Sequence, residues 1–173
     1  MPDKLQRNKG SILIEALVAL SIIVVAFSAA LSLLTSSFGL NRVISDQYTG
    51  THLAAEGIEV VKNIIDGNIL RCLPWNSGFA NGVFIADYND TALSASMGSE
   101  VLRFNPLIGV YSYDGGINTK FSRQIQINLS GSNRIQVRST TNWTTRGGFT
   151  SSVRVEDYFY NWRTDVNIPP QCR

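Results

Sequence analysis

Few residues in this 173-residue chain stand at spacings that do chemistry. Glu56 and Glu59, in "HLAAEGIEVVKNIID", form an acidic pair of the kind that can divide general-acid and general-base work. At i,i+3 on a helix the two lie along one edge, and a solvated or subunit-facing edge is the simpler reading. His52 is the only histidine and has no visible partner, so it is read as neither base nor ligand. "DYND", residues 87 to 90, opens like a calcium loop but lacks the remaining ligands. There is no P-loop, GxSxG or HExxH, and no cluster of His, Cys or acidic residues at ligand spacing. The chain is therefore expected to be no enzyme and to need no cofactor or metal.

Cys72 and Cys172 are far apart, outside any CxxC and with no histidine nearby in sequence, which argues against metal or redox chemistry. Two readings stay open. Outside the cytoplasm they would form a disulfide closing a loop of about 100 residues, which the chain-entropy model values at about 4–5 kcal/mol. Otherwise they are two unpaired, partly buried thiols.

The remaining chemical oddity is Glu15. It stands in "KGSILIEALVAL", near the start of an apolar run from Ile12 to Leu34. Twenty-three residues at about 1.5 Å each cover some 34 Å, enough for a bilayer core of about 30 Å. A carboxylate near the centre of such a helix costs roughly 2.5–3.5 kcal/mol, and less near an interface. The net charge of +2 is concentrated in front of this run. Lys4, Arg7 and Lys9 oppose only Asp3, and the rest of the chain carries 12 basic and 12 acidic residues. The basic start places residues 1 to 10 in the cytoplasm by the positive-inside rule. Scattered charge elsewhere leaves a weak nucleic-acid footprint, so nucleic acid is an unlikely partner. A cleaved secretory signal, with Ser28-Ala29-Ala30 as its site, fails to use Glu15, and so does a plain signal anchor.

A third reading uses every part of the stretch. "RNKG" followed by "SILIEALVAL" resembles the prepilin leader of the type IV pilin and pseudopilin superfamily over residues 7 to about 35. That family has a short basic leader ending in Gly, a mature start of the form F-[TS]-L-I-E and a long apolar helix. Ser11 departs from the pattern, since an apolar residue usually stands there. The resemblance implies cleavage by prepilin peptidase between Gly10 and Ser11, commonly with methylation of the new amine. It also implies that Glu15 pairs with the N-terminal amine of a neighbouring subunit. Two charges costly in hydrocarbon become tolerable together, because their attraction grows as the dielectric falls. The alternative is a Glu15 that merely reaches the head groups.

Several elements must carry these residues. No proline occurs between Pro2 and Pro74, so the helix is expected to run on from residue 11 to about 66. Leu40, Ile44, Ala54, Ile58, Val61 and Ile65 keep roughly one face. Glu59 and Lys62 are spaced to pair, Gly67 and Asn68 read as the stop, and Gly39, Gly50 and Gly57 read as soft points. "LAAEGIEVVKNIID" again resembles minor pilin-like proteins, where it packs on the head. "GVFIADYN", "EVLRF" and "GVYSYDG" are short strand-like runs. "FSRQIQINLSGSNRIQVRSTTNW" reads as a hairpin, with Ile125, Ile127 and Leu129 alternating before "SGSN" and Ile135 and Val137 after it. "SSVRVEDYFYNW" is a further strand. Trp143, Tyr158, Phe159 and Trp162 read as core and cross-strand aromatics rather than a carbohydrate platform.

The expected fold is α+β, a long N-terminal helix, transmembrane in its first half, packed on an antiparallel sheet. Residues 1–10 form the leader, 11–35 the transmembrane and filament-core half of the helix, and 36–173 a periplasmic or extracellular head. The function implied by the resemblance is that of a minor pilin or pseudopilin. The implied partners are other pilin subunits through the N-terminal helix, prepilin peptidase and the inner-membrane assembly machinery. Such a chain begins as a single-pass membrane protein and ends in an extracellular or periplasmic filament. The alternative is a membrane-anchored, adhesin-like binding module that never polymerises.

Overall fold

The computed structural model describes residues 4–131, 133–145, 147–162 and 172, with side chains from residue 10 onward. A single helix, α1 (Lys4–Leu70), runs into eight strands. These are β1 (Gly82–Ile85), β2 (Ser94–Ala95), β3 (Arg103–Asn105), β4 (Val110–Ser112), β5 (Ile117–Asn118), β6 (Phe121–Leu129), β7 (Arg134–Thr144) and β8 (Thr150–Tyr160). The fold is α+β. The chain divides into two compact units, one ending at Ser45 and one beginning at Asp46.

The first unit is helix alone. From Ile12 to Ile44 every large apolar side chain is exposed, on all sides of the helix. An amphipathic helix packing on a core would show a polar face and a buried stripe. This one shows neither.

The second unit holds the rest of α1 and the strands. Leu53, Ala54, Ile58, Val61 and Ile65 are all buried, together with Val60 and Ile64. Ile58, Val60, Val61, Ile64 and Ile65 pack on Ile125 and Ile127 of β6 and Ile135 and Val137 of β7, each essentially inaccessible. Complete burial of such side chains stabilises by about 1.5–3 kcal/mol apiece. A second cluster joins Leu53 to Leu102, Phe121 and Trp143. β6 and β7 bury every second residue, so the odd-numbered positions face α1 and the even-numbered ones face away. The expected hairpin pairs in register from Phe121↔Trp143 to Leu129↔Ile135. β8 continues the antiparallel sheet, whose order is β2-β1-β6-β7-β8.

Three features differ from the sequence reading. Residues 103–118, between β2 and β6, form a separate three-stranded sheet, β4-β3-β5, with strands of two or three residues, too short for periodicity to reveal. The helix does not stop at Gly67 and Asn68 but runs to Leu70. Its terminus is a Schellman turn in which Cys72 N–H bonds Ile69 O (3.2 Å) and Leu73 N–H bonds Asn68 O (2.9 Å), with Cys72 at φ 61°. Asn68 is freed for another use, donating its side-chain amide to Ser77 O (2.8 Å) and Trp75 O (3.3 Å). Third, Gly50 and Gly57 are contact points, not soft ones. A Cβ at Gly50 would lie 2.6 Å from the Trp143 ring, and one at Gly57 would lie 2.3 Å from Ser139 Oγ. Glycine lets the helix lie close to β7 at both places. Gly39 meets nothing within 4 Å.

Candidate functional site

Gly10, Ser11 and Glu15 all lie within α1 and all are exposed. Glu15 is the only charged residue from Gly10 to Asn41. Among the described residues none pairs with it. Three hydroxyls of this segment are satisfied inside the helix: Ser21 donates to Val18 O, Ser28 to Val24 O and Thr35 to Leu31 O, at 2.7–2.9 Å. With its backbone and these hydroxyls bonded internally, the segment presents mostly hydrocarbon, and Glu15 as its one carboxylate, to its surroundings. The helix is long and apolar enough to cross a membrane, and its most apolar stretch is wholly unburied. It fits a single-pass membrane anchor. A signal sequence meets the same criteria of length and composition.

In the second unit the conspicuous polar feature is Arg123, on the helix-facing side of β6 and fully buried. Its guanidinium bonds Leu53 O on α1 (3.2 Å) and Ala86 O just after β1 (2.5 Å). Glu56 Oε1 lies 3.0 Å from Nη1, close enough for an ion pair but not aligned as a hydrogen bond. The helical spacing assigns Glu56 to a solvated or subunit-facing edge; instead it balances the one fully buried charge described. An alternating strand pattern cannot show this, because Arg123 occupies a position that β-periodicity assigns to an apolar residue. Glu59, by contrast, stays exposed and pairs with Lys62 at 3.2 Å. His52 packs edge-on against Tyr48, with ring centroids 4.3 Å apart.

The Arg123 strand is also tied to the small sheet. Tyr113 donates its hydroxyl to Arg123 O (2.6 Å), and burial pushes its pKa up to about 12. Asp87 Oδ1 accepts from Tyr113 N–H (2.8 Å), and Asp90 Oδ2 accepts from Asp87 N–H (2.8 Å). Burial raises the Asp87 pKa, opposed by the Tyr113 N–H bond. The two carboxylates of "DYND" thus cap backbone groups rather than frame a cation. Among the described residues no group of three or more His, Cys, Asp or Glu side chains could hold a metal ion.

On the outer face of the sheet, Glu156 accepts from Gln136 (2.6 Å), Tyr158 (2.8 Å) and Arg138 (2.9 Å). These bonds, Gln136 first, hold its pKa down at about 2. Arg138 also reaches Gln126 (3.1 Å), so the network crosses three strands.

Cys72 and Cys172 form a disulfide with Cα atoms 5.4 Å apart. It ties the C-terminal end of the chain to the Schellman turn that ends α1. Trp143 and Phe159 pack on the core, whereas Trp162 is 68% exposed, at odds with a core role. No family model, no curated protein and no solved structure matches this chain.

Proposed function

We propose that the chain is a structural subunit of a type IV pilus-like filament, a minor pilin or pseudopilin, cut after Gly10 and assembled through its apolar helix. The observation that carries this reading is the pairing of Gly10 with Glu15 at the head of an exposed apolar helix that ends against a folded head. In isolation the Glu15 carboxylate is an energetic liability in hydrocarbon. Cleavage after Gly10 would create a positive amine at the edge of the same apolar segment, and the amine of one subunit is a counter-charge for the carboxylate of the next. The pairing stabilises most where the dielectric is lowest, so it favours one longitudinal register of neighbouring helices. In this proposal the cleavage and the ATP hydrolysis belong to partners, and the chain contributes hydrocarbon surface, one charge and a head.

Intact mass and N-terminal sequencing of the protein recovered from membranes test the processing step. A start at Ser11, with or without one methyl group, is expected; a start near Leu31 marks a secreted protein and overturns the reading. Glu15→Ala should abolish incorporation into filaments while leaving membrane insertion intact. If the variant still assembles, the charge pairing is wrong; if the unaltered chain never enters a filament, the membrane-anchored binding module becomes the better account.

A further inference from the structure

We propose that Asn89 is a glycosylation site, the acceptor of an oligosaccharide delivered from a lipid-linked diphosphate donor. The chain contains three Asn-x-Ser/Thr stretches, beginning at Asn89, Asn128 and Asn142. The pattern marks an acceptor only where the fold offers it to a transferase, on a surface loop outside the cytoplasm. The fold separates the three.

Asn142 is locked in place. It sits in the interior strand β7, opposite Ser122 of β6 on one side and Ser152 of β8 on the other. The next residue, Trp143, is buried in the core, so presenting this stretch would pull the ring out. Asn128 is held as well. It stands opposite Gln136 of β7, and its amide donates to Gln136 Oε1 (3.3 Å). Leu129 N–H bonds Asn81 Oδ1 (2.6 Å), and the Ser130 hydroxyl accepts from Arg134 (2.8 Å).

Asn89 differs on each count. It lies between β1 and β2, where residues 88 to 92 are all exposed. Its turn is closed by other residues: Asp90 N–H bonds Asp87 O (3.2 Å), and Asp87 N–H bonds Asp90 Oδ2 (2.8 Å). Neither the Asn89 amide nor the Thr91 hydroxyl has a hydrogen-bond partner among the described residues. Toward the end of α1 the turn borders a cleft of about 440 Å³, which leaves it room to shift. The free amide matters chemically. An amide nitrogen is a weak nucleophile because its lone pair is shared with the carbonyl, so a transferase must grip the group and twist it out of conjugation. A side chain already bonded into a sheet resists that grip until its hydrogen bonds break. In the transfer, a bond forms between Asn89 Nδ2 and the anomeric carbon of the donor's first sugar. The bond from that carbon to the diphosphate breaks, the lipid diphosphate leaves with the electron pair, and one amide proton passes to a base of the transferase.

The compartment agrees with this chemistry. The Cys72–Cys172 disulfide belongs to the same unit as Asn89, and disulfides persist in oxidising compartments. The basic start assigns the residues beyond the apolar run to the far side of the membrane. The proposal holds for an anchored and for a secreted chain alike, so it does not depend on the filament reading.

The test is reduction, tryptic digestion and mass spectrometry of the full chain purified from the membranes and medium of the cells that make it. Peptide 72–103 should carry the added mass of an oligosaccharide, and fragmentation should place it on Asn89. Asn89→Gln and Thr91→Ala should each lose that mass, whereas Thr91→Ser and Asn128→Gln should keep it. The contrast between alanine and serine at an exposed position separates loss of the acceptor pattern from loss of folding. An unmodified peptide 72–103 in the unaltered chain overturns the proposal. So does sugar found on Asn128, Asn142 or a hydroxyl oxygen, or added mass that persists in Asn89→Gln.

Discussion

Arg123 is the residue whose placement matters most to the second unit. A guanidinium with no solvent exposure must find acceptors and a counter-charge, because an unpaired buried ion costs several kcal/mol. Two backbone carbonyls and Glu56 answer that need. They do so from two places, α1 (Leu53 and Glu56) and the residue after β1 (Ala86), while Arg123 itself stands on β6, so the side chain measures the fit of the helix to the sheet. Its Nε and the neighbouring Ser139 Oγ and Thr141 Oγ1 have no hydrogen-bond partner among the described residues, which makes the site sensitive to small shifts. Removing one member of the pair should therefore be worse than removing both. Glu56→Ala is expected to destabilise by about 2 kcal/mol, below the usual range for a buried pair because the Glu56 side chain is one-third exposed. The double variant Glu56→Leu/Arg123→Met should recover most of that loss in urea unfolding followed by circular dichroism. Equal or greater loss in the double variant would show that the guanidinium's bonds to the carbonyls, not charge balance, hold the helix.

At the scale of elements, α1 has two characters that its uniform helical geometry conceals. Its first part is exposed hydrocarbon, and its last part is a packing stripe interrupted by glycines. In most helices an exposed glycine is simply a weak point, worth about 1 kcal/mol relative to alanine. Gly57 is the opposite case, since the missing side chain is the contact. Gly57→Ala should lower stability by about 1–2 kcal/mol, because overpacking outweighs the gain in helix propensity. Ser139→Ala removes the oxygen that the new methyl meets and should restore most of the difference. Thermal unfolding of the single and double variants decides it; a Gly57→Ala chain more stable than its parent would return Gly57 to the role of a soft point. The strands were more legible than the helix end. Alternation through Ile125, Ile127, Ile135 and Val137 specified the hairpin because a slip of one residue would turn every one of them outward. The two-residue strands β2 and β5 have no such signature, being held by their partners rather than by their own pattern.

At the scale of the molecule, the Cys72–Cys172 disulfide closes a loop with a sequence separation of 100 that contains every strand. On the chain-entropy account a closure of that length contributes about 4–5 kcal/mol through the unfolded state. The paired variant Cys72→Ser/Cys172→Ser should retain the antiparallel sheet in circular dichroism and unfold at markedly lower denaturant concentration. An unchanged midpoint would mean that the cross-link adds nothing beyond the packed core. Because Cys72 holds the left-handed position of the Schellman turn, Cys72→Gly with Cys172→Ser separates the two effects: glycine keeps the turn without the cross-link.

The sequence alone determined whatever depends on neighbours along the chain. Apolar length, the basic start, the isolated Glu15 and strand alternation are local properties, and each follows from the 1.5 Å rise of a helix, the period of two in a strand or the cost of a charge in hydrocarbon. Tertiary structure decided whatever depends on approach between distant segments. It made Glu56 the partner of a residue 67 positions away, turned Gly50 and Gly57 into contacts, moved the helix stop to a cysteine and left Trp162 exposed instead of in the core. Burial and pairing are set by which surfaces meet. No window of sequence contains both sides of such a contact.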